Sequence, residues 1–456
     1  MRIQKLIALL LTLCMAGGAV PALAAEETAQ PISTWAYGVL ADGYAMGLFG
    51  DDIYTQHNQT ITQEQLSNLT QVVGDKLALL EVEQRAADDT PLVMDTTRGG
   101  VVNALYQEAA AYAFPGVEEG PEAFMTTVGA LAGDGSGLNL DRSCTYLEAV
   151  TMADSLILNL YDGQNAGSLG LLWKAEGNGN TLYLLGSIHT DRNNVYPVHK
   201  QLRDIILNTE QVSFELDFND QTQLAEFAAM QVYSDGTTLA DHISPELYQV
   251  VVNTASKLGM DEAMVSRYKA WALASSFQSL SLLDETSGSN AMAIDLYVNS
   301  KAVNAGIDIG AVETYAFQGG IFDGLSAEYQ EAYLDASLAG YEGMLNGETA
   351  SEEAQALAQA QQEQIAAMFD AWKDRDPNAL AEVYGKEAIL NSDDELNSKL
   401  FTERDPGMIA AAAEYLETEG ENTFFLAVGA GHMVDPGGIV SGLRELGYTV
   451  ELVPAD

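Results

Sequence analysis

Residues 423–432 read Thr-Phe-Phe-Leu-Ala-Val-Gly-Ala-Gly-His, and residues 181–189 read Thr-Leu-Tyr-Leu-Leu-Gly-Ser-Ile-His. Each is a short apolar run that stops at a glycine and meets a histidine three positions later. Such runs, bounded by turn formers, read as β-strands. Working outward, the spacing predicts a helix over 199–208, a strand over 211–218, mainly helix over 222–233 and 244–285, and a strand over 307–313. A long helical stretch over 326–399 follows, then a helix over 437–446 and a last strand over 448–453. Strands alternating with helices give an α/β fold with a mixed, partly parallel sheet flanked by helices. Leu171-Leu172-Trp173 reads as a strand ahead of these, beside a Gly/Asn-rich boundary over 163–179.

The strand ends hold the candidate chemistry. The first motif ends in His189 and the second in His432, while Glu215 and Asp217 sit two positions apart on one strand and the 307–312 run ends in Glu313. In open α/β sheets the carboxyl ends of the strands form the ligand crevice. A glycine ahead of each histidine lets the backbone turn sharply and lets a ligand approach. Two imidazoles and two carboxylates in one crevice suit a divalent metal that polarises a carbonyl and activates water. The chain has only five histidines, and two share this context; His57, His199 and His242 read as surface residues. No His-Glu-x-x-His, Gly-x-Ser-x-Gly or phosphate-binding Gly-rich loop competes with the reading. Cys144, in the helical N-terminal region, is a poor nucleophile candidate.

Residues from about 170 to 455 resemble the TraB/GumN family, which includes the Tiki metalloproteases. The resemblance rests on Gly186–His189, Gly429–His432 and Glu215, with support from Tyr196-Pro197, Lys269-Ala270-Trp271, Asp295, Val312-Glu313-Thr314 with Gln318, Ala371-Trp372-Lys373 with Asp376, Arg404 and Gly447-Tyr448. It implies a metal-dependent hydrolase, with a peptide or protein as substrate. His189, Glu215 and His432, with Glu313 as a further acidic contributor, would hold Mn²⁺, Co²⁺ or Zn²⁺. Glu215 would be ligand or general base, and Arg404 would stabilise the oxyanion or form a structural ion pair. Asp295 and Gln318 would support these groups. Asp405 stands where the family usually has Asn, and Asp435 where it has Gly.

The first 25 residues read as a secretory signal peptide: Arg2 and Lys5, an apolar run from Leu6 to Met15, then Ala22-Leu23-Ala24. Residues 26–165 read as a smaller all-helical domain, and 166–456 as the α/β domain. Residues 34–75, with Trp35-Ala36, Gly47-Leu48 and Ile61-Thr62, resemble the S-layer homology repeats of bacterial surface proteins, which implies a cell-wall polymer as a further partner. The expected location is secreted, at the cell surface or wall. With 20 Lys and Arg against 66 Asp and Glu, the formal charge is −46. Such a surface repels phosphate backbones and anionic lipid, so nucleic acid is not an expected partner. Nor does the sequence after the leader hold an apolar run long enough to cross a membrane. The competing reading is a non-catalytic, wall-associated or peptide-binding protein.

Overall fold

At residues 177–180, Gly-Asn-Gly-Asn closes a two-residue hairpin. Asn178 and Gly179 both take positive φ, 52° and 89°, the geometry that lets a tight turn follow the twist of its strands. The hairpin joins β1, Leu172–Gly177, to β2, Asn180–Ser187. The computed structural model describes residues 31–86, 95–188, 195–281, 292–346 and 352–455. The leader therefore lies outside the described residues, as does His189.

Four further strands complete the sheet: β3, Gln211–Phe214; β4, Asp308–Ala311; β5, Thr423–Gly429; and β6, Thr449–Leu452. Their order is β4-β3-β5-β2-β1-β6. The β4-β3-β5-β2 portion is parallel, while β1 pairs antiparallel with β2 and β6. The mixed, partly parallel sheet expected from the alternation is present. From Phe424 onward every residue of β5 is buried, as a central parallel strand covered on both faces should be.

Two readings change. The strand expected over 211–218 stops at Phe214, because Asp217 turns to accept the Asn219 N–H at 2.8 Å and Asp220 caps the Gln221–Met230 helix. Glu215 and Asp217 therefore lie in a turn and do not share a strand face. His57 and His199 are buried; the His199 ring accepts the Gln201 N–H and so caps the Lys200–Leu207 helix. His242 is exposed, as expected, and stacks on Tyr233.

The N-terminal unit is helical. Threonines open three of its helices: Thr62 before Gln63–Leu77, Thr97 before Arg98–Ala110 and Thr145 before Tyr146–Gly163. Each hydroxyl accepts a backbone N–H that the first turn leaves without a partner. Thr62 with Gln65 and Thr145 with Glu148 complete reciprocal capping boxes. Isolated bridges Thr60–Thr145 and Thr97–Ser143 tie these helix starts together.

This unit shares one apolar core with the sheet, from Leu66, Val73 and Leu156 through to Leu184 and Leu426. Polar links also cross between them. Lys76 Nζ donates to the Tyr196 carbonyl at 2.9 Å, and Asp42 accepts from Tyr297 Oη at 2.6 Å and from Lys301 Nζ at 2.7 Å. A second core lies among helices beyond β3, from Phe227 and Trp271 to Tyr333, with Leu216 and Phe401 at its border. Among the described residues no helix is long and apolar enough to cross a membrane.

Candidate functional site

The seam between the two cores coincides with the carboxyl ends of the parallel strands. Chain pairing runs one step past β3 and β4, with the Glu313 N–H donating to the Glu215 carbonyl at 2.9 Å. Glu215 and Glu313 thereby emerge side by side. Between them sits Arg404, whose side chain is 1% exposed. Its Nη2 donates to Glu215 Oε2 at 2.6 Å and to Glu313 Oε2 at 2.8 Å, and its Nε reaches Glu313 Oε1 at 3.0 Å. Gln318 Nε2 donates to both carboxylates, at 3.2 Å to Glu215 and 2.8 Å to Glu313. Burial works against the Arg404 charge, but Glu215 and Glu313 outweigh it and hold the guanidinium more firmly protonated than a free arginine.

The other oxygen of Glu215 faces the second motif. Oε1 accepts the Gly429 N–H at 2.7 Å and lies 4.0 Å from His432 Nε2. His432 sits in the one-turn helix Ala430–Met433 that follows β5, and it is wholly buried. Its Nδ1 is 2.6 Å from Asp405 Oδ1, while its Nε2 is enclosed and, among the described residues, has no hydrogen-bond partner. Asp405 Oδ2 is 3.1 Å from the Nζ of Lys386, a side chain with no exposure at all. Burial pushes the Lys386 ammonium below the usual lysine range, and Asp405 opposes that.

The motif glycines serve packing here. Gly186 and Gly429 are not among the residues at positive φ, and the chain passes from β5 directly into the helix bearing His432 at Gly429. A Cβ at Gly186 would stand 3.1 Å from the Ala430 backbone, and one at Gly431 would stand 3.0 Å from the Tyr384 ring and 3.3 Å from Phe401. Without side chains there, the end of β2 and the helix bearing His432 approach closely. Trp372 Nε1 donates to the Gly186 carbonyl at 2.6 Å and holds the first motif from below.

Of the expected site residues, Glu215, Glu313, Arg404 and His432 come together, with Gln318 among them. His189 lies outside the described residues. Asp295 is buried in the first turn of Ile294–Ala305, where its carboxylate accepts the Leu296 N–H at 2.9 Å. Asp435 is exposed. Lys386 escaped the sequence reading, since a lone lysine in a helical stretch has no motif. Asp405 was visible only as a departure beside Arg404. Cys144 is buried and its thiol is pushed up to about 12, chiefly by burial, far from the range of a reactive thiolate.

The residues present fit a divalent ion. With Nδ1 committed to Asp405, the His432 Nε2 lone pair is an enclosed donor site beside a carboxylate oxygen, and 4.0 Å leaves room for one atom between them. Carboxylate-oriented histidines are the usual arrangement for metal ligands. Among the described residues, no three His, Cys, Asp or Glu side chains form a ready cage. A groove of about 620 Å³ opens elsewhere, lined by Lys174, Tyr183, Asp204, Thr449 and Glu451. It also includes Thr423, at the far end of β5 from Gly429, and so is remote from the acid–base groups.

Residues 171–452 match the model of the TraB/PrgY/gumN family. The chain belongs to that family. The match begins at the strand hairpin and takes in every member of the TraB/PrgY/gumN site described above. No curated protein matches the chain, and no solved structure does. The family match stops short of the N-terminal helical unit, and the S-layer homology resemblance of residues 34–75 is not supported.

Proposed function

We propose that this chain is a metal-dependent hydrolase cleaving peptide bonds, with His432 and Glu215 as the reactive pair. One observation carries the reading. Among the described residues the His432 Nε2 is buried without a hydrogen-bond partner, 4.0 Å from Glu215 Oε1, while its other ring nitrogen is tied to Asp405. A buried polar atom without a partner costs about 1–3 kcal/mol, an expense that persists where the atom has work to do. His432 would hold the ion beside Glu215, and the reading takes His189 as a further ligand on sequence grounds. When bound, a divalent ion supplies Lewis acidity, which polarises a carbonyl and eases deprotonation of a water.

The chain's own groups do the rest. Glu215 Oε1 faces His432 Nε2 and accepts the Gly429 N–H, and it would take the proton from an attacking water. Arg404 binds both glutamates through Nε and Nη2. In this reading it keeps Glu215 in place rather than meeting the oxyanion. The strongly acidic surface favours neutral or basic peptides over acidic ones.

The test is cleavage of a mixed peptide library by purified protein with Mn²⁺, Co²⁺ or Zn²⁺ added. H432A and E215Q should each lower turnover at least about 100-fold while the protein still melts cooperatively. No cleavage with any of the three ions, or equal cleavage by both variants, overturns the proposal. Peptide retained but left intact would favour the non-catalytic binding reading.

A further inference from the structure

We infer that Lys386 is a positioning residue which, through Asp405, decides which ring nitrogen of His432 carries the proton, and so whether Nε2 offers Glu215 a lone pair or an N–H. The inference deepens the proposed function and rests on its choice of His432 and Glu215 as the reactive pair. Lys386 opens the Lys386–Leu390 helix and is wholly enclosed. Its ammonium makes three contacts, all around His432. It lies 3.1 Å from Asp405 Oδ2, donates to the Val434 carbonyl at 2.8 Å and sits 4.9 Å from the centre of the Phe401 ring. Val434 is two residues past His432, and the Phe401 and His432 rings are 5.2 Å apart. One side chain thus fastens the carboxylate that binds the imidazole, the backbone that follows it and the ring that backs it.

Donor chemistry makes this arrangement selective. An ammonium only donates, so the atom of residue 405 that faces Lys386 must accept. A carboxylate meets that demand with Oδ2 and still offers Oδ1 to His432. Nδ1 then carries the proton and donates it to Oδ1, and Nε2 presents its lone pair toward Glu215. A carboxamide of the same shape has one oxygen, not two. Lys386 would claim that oxygen and turn the amide NH₂ toward Nδ1, which must then accept. The ring proton would move to Nε2, and the face toward Glu215 would lose its lone pair. Removing the ammonium as well frees the amide to rotate, present oxygen to Nδ1 and restore the original tautomer. A lysine that merely fills space predicts no such reversal.

The experiment compares wild type, D405N and K386M/D405N as full, metal-free chains with ¹⁵N-labelled histidine. Long-range ¹H–¹⁵N NMR reads which nitrogen of His432 is protonated, and equilibrium dialysis reads Co²⁺ affinity on the same preparations. Wild type should be protonated at Nδ1. D405N should be protonated at Nε2 and bind Co²⁺ about 100-fold more weakly. The double variant should return to Nδ1 protonation and recover at least about tenfold in affinity. Wild-type His432 protonated at Nε2, a folded D405N that keeps Nδ1 protonation, or a folded double variant that fails to revert each refutes the role of Lys386. If the double variant gives no cooperative melt, the D405N tautomer decides alone. A wild type that takes up no Co²⁺ yet shows the proton shift removes the metal reading and leaves the role of Lys386 standing.

Discussion

Replacing Arg404 by Met tests the ion-pair cluster on which the site is built. The guanidinium is almost completely buried between Glu215 and Glu313, and Gln318 also bonds both carboxylates. Loss of one partner from a buried ion pair typically costs about 3–5 kcal/mol, because the charge left behind has neither water nor a counter-ion. Here two like charges are stranded together, so the upper half of that range applies. For a cooperative unit of about 400 residues, the helical unit and the sheet sharing one core, the unfolding entropy is near 0.8 kcal/mol per kelvin. The melting temperature should therefore drop by about 5–6 °C. E313Q in the same background removes one stranded charge and should recover at least about a third of the loss, a coupling a double-mutant cycle isolates. Calorimetry at neutral pH measures wild type, R404M, E313Q and the double variant. An R404M protein melting within about 1 °C of wild type, or one that E313Q destabilises further, would show that the cluster is not what stabilises the seam.

Two further outcomes follow from local geometry. Burial lowers the Lys76 ammonium from its ordinary 10.5 to about 8, with Asp75 opposing and Lys373 adding to the effect. Between pH 8 and 10.5 the unfolded chain therefore binds more protons than the folded one, and stability should rise with pH across that window by up to about 3 kcal/mol. Urea midpoints of wild type at pH 7.5 and 10, each compared with K76M, read the effect; a difference from K76M that does not change with pH refutes it. Gly431→Ala should cost about 1–3 kcal/mol, because the new methyl meets Tyr384 at 3.0 Å and Phe401 at 3.3 Å. It should also weaken Co²⁺ uptake in dialysis by moving the His432 helix, and unchanged uptake in the folded variant would show that the helix position is not critical.

The middle of the sheet was legible because β2 and β5 are apolar runs that end at a glycine, and burial leaves that trace in any sequence. Its hairpin was half hidden. Asn178-Gly179 reads as a loop boundary by composition, and only its positive φ angles reveal a two-residue turn joining β1 and β2. Glu215, Glu313 and His432 were legible as types and spacings, since chemistry at strand ends restricts both, whereas Arg404 was marked only by the family resemblance. Their connectivity was not legible. That Arg404 bonds both glutamates through its Nε and Nη2, and that Lys386 reaches His432 by way of Asp405, depends on contacts between segments 19 to 189 residues apart. His57 and His199 failed in the opposite direction. Polar neighbours in sequence suggested exposure, but tertiary packing covered both rings.

The shared interior of the helical unit and the sheet has a practical consequence for trimming the protein. A cut at residue 171, where the family match begins, would slice through packed side chains instead of a linker. It would split the core that runs from Leu66, Val73 and Leu156 to Leu184 and Leu426, and take away the amine that donates to the Tyr196 carbonyl. It would also strip Lys301 and Tyr297 of the Asp42 carboxylate. Sequence kinship and autonomous folding have different borders in this molecule, and a fragment drawn along the first would be expected to aggregate when released from the ribosome.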